Sequence, residues 1–178
     1  MKVKSAAAAG GVAVSVTSSG TDENLTVDAK GAGTLTLNGT ATGNVVLGRA
    51  ATGVSLAVTG GLTSSGATGA GIGYTTGAGG AVTQGTNRTT GVTLNTLAGA
   101  ITLVSAAGTA TPQTFTVTNS TVAATDTIIV NQKSGTDLNV ILVTAVAAGS
   151  FNITFYTTGG TTTEQPVFNF AVLKSVAA

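Results

Sequence analysis

The chain has 178 residues, a net charge of +1, no Cys and no His. Disulfides, the common structural zinc sites, Cys nucleophiles and mechanisms that need a His base are therefore excluded, and no strong field gathers nucleic acid or anionic lipid. Only 7% of residues are charged, against about 25% in ordinary soluble domains, while 42% are hydrophobic.

That composition is not that of a disordered chain. Aromatics make up 4% of residues, so the core falls largely to Val, Leu, Ile and Ala. A weakly charged, apolar surface tends to associate. The balance favours a homo-oligomer or a lattice component.

Residues 1–24 open on Met1-Lys-Val-Lys-Ser-Ala-Ala-Ala-Ala-Gly10. Two lysines before a small-residue run imitate a secretory signal, but Gly10 and Gly11 interrupt it and no Leu or Phe builds an apolar centre. No run of 18 or more apolar residues follows anywhere, so no membrane span is expected. Val12-Ala-Val-Ser-Val16 alternates as a strand does, and a strand at a terminus needs a partner. Lys2 and Lys4 suit an acidic surface, although solvated tail charges are the plainer reading.

Residues 25–59 repeat in tens. Apolar-x-apolar cores stand at Leu25–Val27, Leu35–Leu37 and Val45–Leu47, with a fourth from Val54 to Val58 arriving one residue early. Gly31, Gly33, Gly39, Gly43, Gly48 and Gly53 punctuate the gaps. A fixed period with one short strand per unit marks a repetitive β architecture whose units need neighbours. Asn38-Gly39 is a hairpin signal. Short hairpins and three chains sharing their turns both fit a ten-residue unit. The Thr34-Leu-Thr36 and Thr40-Ala-Thr42 ranks are not kept in later units, which speaks against an ice-binding face.

Residues 61–80, rich in Gly and Ser, read as a linker that Tyr74 anchors. Gly-Ala-Gly-Ile-Gly-Tyr74 has the spacing of a phosphate loop, but no helical pattern follows it. Residues 81–178 change character, and all five Phe residues lie there. Strands are expected at Gly91–Asn95, Ala100–Ser105, Gln113–Asn119, Asp126–Gln132, Asn139–Ala147, Phe151–Thr157 and Val167–Val176. Strands at that spacing read as a β-sandwich. The expected core is Phe115, Val117, Ile129, Ile141, Val143, Phe151, Ile153, Phe155, Phe168, Phe170 and Val172.

The fold class is therefore all-β: a short repetitive β part over 1–60, a Gly-rich linker over 61–80, and an antiparallel, jelly-roll-like β-sandwich over 81–178. Candidate chemistry is sparse. Asp22, Glu23 and Asp28 match no calcium-loop spacing. The remaining acids, Asp126, Asp137 and Glu164, sit near expected turns and form no evident pair for glycoside hydrolysis. Five Asn-x-Thr triplets, at Asn24, Asn38, Asn87, Asn119 and Asn152, are what chance yields in a Thr-rich chain. No cofactor and no metal are expected, and no catalytic residue stands out. Tyr74 and Tyr156 are the candidate aromatics for a glycan.

From Gly73-Tyr-Thr-Thr-Gly-Ala-Gly-Gly-Ala-Val-Thr-Gln84 onward the sequence resembles a module of tailed-phage virion proteins. The likeness runs through Arg88-Thr-Thr-Gly-Val-Thr-Leu-Asn95, Phe115-Thr-Val-Thr-Asn-Ser-Thr121, Asp126 to Val130, Val146-Ala-Ala-Gly-Ser-Phe151 and Phe170-Ala-Val-Leu-Lys-Ser-Val-Ala-Ala178. In that family the module belongs to head fibres, capsid decoration proteins and tail-associated fibres. The resemblance implies a non-enzymatic virion protein on the capsid surface, a homotrimer, with the major capsid protein as partner. Residues 1–60 would then attach it, through Lys2, Lys4, Val12, Val14 and Val16. The alternative is a receptor- or glycan-binding fibre that meets a host surface. No nucleic acid and no membrane enter either reading.

Overall fold

Ser150-Phe-Asn-Ile-Thr-Phe-Tyr-Thr157 is the strand on which the fold is most easily built. Its apolar and polar residues alternate, and a period of two puts every second side chain on one face. Phe151, Ile153, Phe155 and Thr157 are buried, while Asn152, Thr154 and Tyr156 are half-exposed. Val167–Leu173 repeats the arrangement with Phe168, Phe170 and Val172 inside.

The computed structural model describes residues 25–27, 29–35, 37, 72–74 and 77–176. The chain divides into two compact units, Met1–Leu62 and Thr63–Ala178. In the first, the described residues hold a turn and no strand. Gly33 N–H donates to the Lys30 carbonyl at 3.1 Å, and Gly31 takes the left-handed φ of 64°. Leu25–Val27 was expected as a strand and is not one. Leu25, Val27, Leu35 and Leu37 are all exposed. The later units of the decade repeat lie outside the described residues.

The second unit is all-β, with ten strands: β1 Gly79–Thr83, β2 Val92–Thr93, β3 Ala98–Thr102, β4 Ala106–Ala107, β5 Gln113–Thr118, β6 Thr127–Ser134, β7 Asn139–Ala147, β8 Ser150–Thr157, β9 Thr163–Glu164 and β10 Val167–Leu173. They form two four-stranded sheets, ordered β1-β3-β10-β6 and β2-β5-β8-β7, and a small β4-β9 ribbon. The central pairs are antiparallel. The edges differ from the antiparallel expectation, since β1 joins β3 and β2 joins β5 in parallel. One N-terminal segment thus supplies an edge to each sheet.

The sheets face each other through their Phe residues. Phe155 meets Phe168 edge-on with ring centroids 5.2 Å apart, and Phe151 meets Phe170 at 5.3 Å. Each such side chain contributes about 1.5–3 kcal/mol by leaving water, and the tilted geometry adds to that. Ile101, Leu103, Val92 and Val122 complete the core and were absent from the expected set. Gly99 makes room for it: a Cβ there would come within 2.8 Å of the Phe170 ring and 2.6 Å of Leu94.

Three further expectations need correction. Ile129 is 51% exposed, and its neighbour Ile128 is buried instead. The run Ile128-Ile-Val130 hides the register, but Thr127, Asn131 and Lys133 share the face of Ile129 and belong in water. Residues 79–80, assigned to the linker, are strand β1. The strand expected to continue to Ser105 stops at Thr102, because side chains take over its backbone groups: Gln84 Oε1 accepts from Val104 N–H, and Arg88 donates to the Val104 carbonyl.

Candidate functional site

Two turns and a buried polar cluster shape one end of the sandwich. Arg88 is only 3% exposed, and three backbone carbonyls hold its guanidinium. Its Nε donates to the Val104 carbonyl at 3.1 Å, and one terminal nitrogen donates to the carbonyls of Ala106 at 2.6 Å and Glu164 at 2.7 Å. Burial draws its pKa below the usual guanidinium range, and the nearby Glu164 and Asp137 charges oppose that. Gln84 supports the same loop, its amide donating to the carbonyls of Arg88 and Thr90.

The two acids beside it serve backbone amides. Glu164 accepts from the N–H groups of Thr136 and Asp137. Asp137 is buried, and its Oδ2 accepts from Thr162 N–H at 2.9 Å. Two glycines admit that carboxyl group. A Cβ on Gly108 would meet Asp137 Oδ2 at 2.5 Å, and one on Gly160 would overlap the Asp137 carboxyl carbon. Thr157 then fixes the loop from below, its hydroxyl donating to the Gly160 carbonyl at 2.9 Å and its N–H to the Thr109 carbonyl.

This anchored loop, Thr158–Thr162, borders two depressions. The larger, about 440 Å³, is lined by Ala110 and Tyr156–Thr161. The smaller, about 230 Å³, shares Thr158–Gly160 with it and is lined also by Thr136–Leu138. Among the described residues, Asp137 is the one charged side chain on either lining, and its Oδ2 accepts from Thr162 N–H.

The outer sheet faces are a second kind of surface. On β2-β5-β8-β7 the residues pointing away from the core include Thr114, Thr116, Asn152, Thr154, Tyr156 and Leu142. Hydroxyls pair across strands there: Thr114 with Thr154 at 2.7 Å, Thr144 with Thr154 at 2.8 Å, and Thr116 with Asn152 Oδ1 at 2.9 Å. On β1-β3-β10-β6, Ile129 pairs with Ala171 and Ala171 with Ala98, and Leu173 lies beyond them, 47% exposed.

Of the site residues expected from sequence, Lys2, Lys4, Val12, Val14 and Val16 lie outside the described residues, as do Asp22, Glu23 and Asp28. Tyr156 lines the larger depression. Tyr74 donates its hydroxyl proton to the Val172 carbonyl, tying the Gly-rich stretch to β10. Lys174 pairs with Asp126 at 2.6 Å in the only salt bridge among the described residues. Asn119, in one of the Asn-x-Thr triplets, is wholly buried: its Nδ2 donates to the Thr96 carbonyl and its Oδ1 accepts from Thr121. Among the described residues no three His, Cys, Asp or Glu side chains gather to hold a metal ion, and no helix is long and apolar enough to cross a membrane.

The second unit is thus an all-β sandwich with one grooved end and two weakly charged faces. Comparison of the chain with protein families, with curated proteins and with solved structures finds no match.

Proposed function

We propose that the chain is a non-enzymatic structural protein of a tailed-phage virion, a decoration or head-fibre subunit that acts by contact on the capsid surface. It works as a homotrimer, with the major capsid protein as its partner. The observation that carries this reading is the scarcity of charge on surfaces that expose large apolar side chains. Ile129 and Leu173 on one sheet face, Leu142 on the other, and Leu25, Val27, Leu35 and Leu37 in the first unit are all about half-exposed or more. Among the described residues, Lys133 is the one charged residue on the outward faces of the two four-stranded sheets. Surfaces of this kind gain by burial against copies or companions. The resemblance of residues 73–178 to the phage module supplies the setting.

The test is light scattering on the purified chain, followed by co-sedimentation with capsids assembled without it. A trimer that pellets with the shells is expected. A strict monomer at micromolar concentration with no affinity for capsids would refute the proposal.

A second reading, a receptor- or glycan-binding fibre module, is favoured by one observation. The groove at the end of the sandwich is uncharged in its larger part and has an aromatic ring on its wall.

A further inference from the structure

We infer that the groove between Tyr156 and the Thr158–Thr161 loop is a binding site for an uncharged oligosaccharide. The inference rests on the second reading above and names its site and ligand class.

The size fits. The larger depression, about 440 Å³, lies within the roughly 300–1,000 Å³ of typical ligand pockets. Thr158–Gly160 also line the 230 Å³ depression, so a ligand of more than one sugar unit can extend from one depression to the other.

The chemistry fits too. Sugar rings carry apolar C–H faces and a rim of hydroxyls. Tyr156 offers a flat apolar surface with a polar tip. It is held in the sheet opposite Val140 on β7, and Ala110 lines the groove with it. Thr158 and Thr161 bring exposed hydroxyls to the same lining. Among the described residues no Lys or Arg lines either depression, and Asp137 is buried with its Oδ2 accepting from Thr162 N–H. A carboxylated or sulfated sugar would find no counter-charge, whereas a neutral one meets what it needs.

The walls are also formed in advance. Thr157 holds Gly160, Thr158 N–H donates to the Leu138 carbonyl at 3.3 Å, and Asp137 is wedged between Gly108 and Gly160. A loop already ordered costs less to bind against than one that must be ordered on contact.

The experiment uses the full chain on an array of neutral and acidic glycans, then titrates the best neutral hit by calorimetry. Tyr156→Ala is expected to weaken binding about tenfold or more, because the stacking surface goes, while Tyr156→Phe keeps it within about twofold. Gly159→Leu tests the groove without touching the ring. A Cβ at Gly159 meets no atom within 4 Å, and Gly159 lines both depressions, so the variant is expected to fold and to crowd the groove. It too should lose about tenfold or more.

A neutral hit that neither Tyr156→Ala nor Gly159→Leu weakens overturns the site and leaves the glycan reading standing. An array with no hits removes both. Hits confined to acidic glycans overturn the ligand class. If Tyr156→Ala instead abolishes self-association in light scattering, the occupant is a second copy and the inference falls.

Discussion

Removal of Arg88 is the sharpest test of how this sandwich is held together. Its guanidinium donates to three backbone carbonyls, at Val104, Ala106 and Glu164. These sit after β3, on β4 and on β9, so one side chain joins segments far apart in sequence. Each hydrogen bond to a charged group contributes about 1.5–3 kcal/mol net. Three would sum to roughly 4–9 kcal/mol, from which the cost of burying the cation must be subtracted. Removing the guanidinium leaves these carbonyls without their donor, at about 1–3 kcal/mol each, so Arg88→Met should lose about 3–5 kcal/mol. Against a total stability of about 5–15 kcal/mol, the variant keeps little margin. Arg88→Lys keeps the charge but loses the planar fork, and should recover less than half of the loss. Urea denaturation followed by far-ultraviolet circular dichroism reads the difference. A loss below about 1 kcal/mol for Arg88→Met would show that water replaces the guanidinium at these carbonyls, and the argument from burial would fail.

Further tests follow the same geometry. Asp126 has its pKa lowered, first by the Ala123 N–H and then by Lys174, so it stabilises the fold above the unfolded carboxylate pKa of about 3.9. That stability is lost as pH falls through the lower, folded value; the melting temperature of the wild type should drop across this acid range, and Asp126→Asn should flatten the drop. Gly160→Ala should destabilise by about 2 kcal/mol or more, because its methyl group overlaps the Asp137 carboxyl, while Gly159→Ala should be near neutral; thermal melts of the pair separate close packing from loop flexibility. Phe155→Ala should cost about 3–5 kcal/mol in chemical denaturation. Ile128→Ala and Ile129→Ala should differ sharply despite identical chemistry, since only Ile128 is buried; a larger loss at Ile129 would place the register of β6 one residue off.

Local pattern carried much of this fold. The strands β7 and β8 alternate or run apolar between clear turns, and Ala148-Gly149 closes them with Gly149 at a φ of 81°. The expected range Asn139–Ala147 matches β7 residue for residue. What failed was whatever depends on distant partners. β1 begins with two glycines and looks like linker until β3 lies beside it and Leu94 packs against Gly80. Ile101 lies in β3 and Leu103 just beyond it, and the end of that strand is set by Gln84 and Arg88, about 15 to 20 residues earlier. Arg88 itself reads as one scattered cation in a run of Thr, because the carbonyls it holds lie 16, 18 and 76 residues away. At the groove, Tyr156 was legible as a large aromatic on the polar side of a strand. Gly159 and Gly160 were legible only as a turn, and the different crowding around each follows from Asp137, which no local pattern brings near.

The position of β10 has a consequence for how the protein is made. It follows β3 and β6 in sequence, yet it lies between them in the sheet, bonded to β3 on one side and β6 on the other. While the ribosome is still synthesising residues before Val167, β3 and β6 have no common neighbour and the Phe168 and Phe170 rings are missing from the interior. The nascent sandwich must therefore wait, half-assembled, for its keystone, and long-range closure of this sort is slow. During that interval the inner faces of Phe151 and Phe155 are open to passing chains, so this is the moment at which chaperones would matter most to its yield.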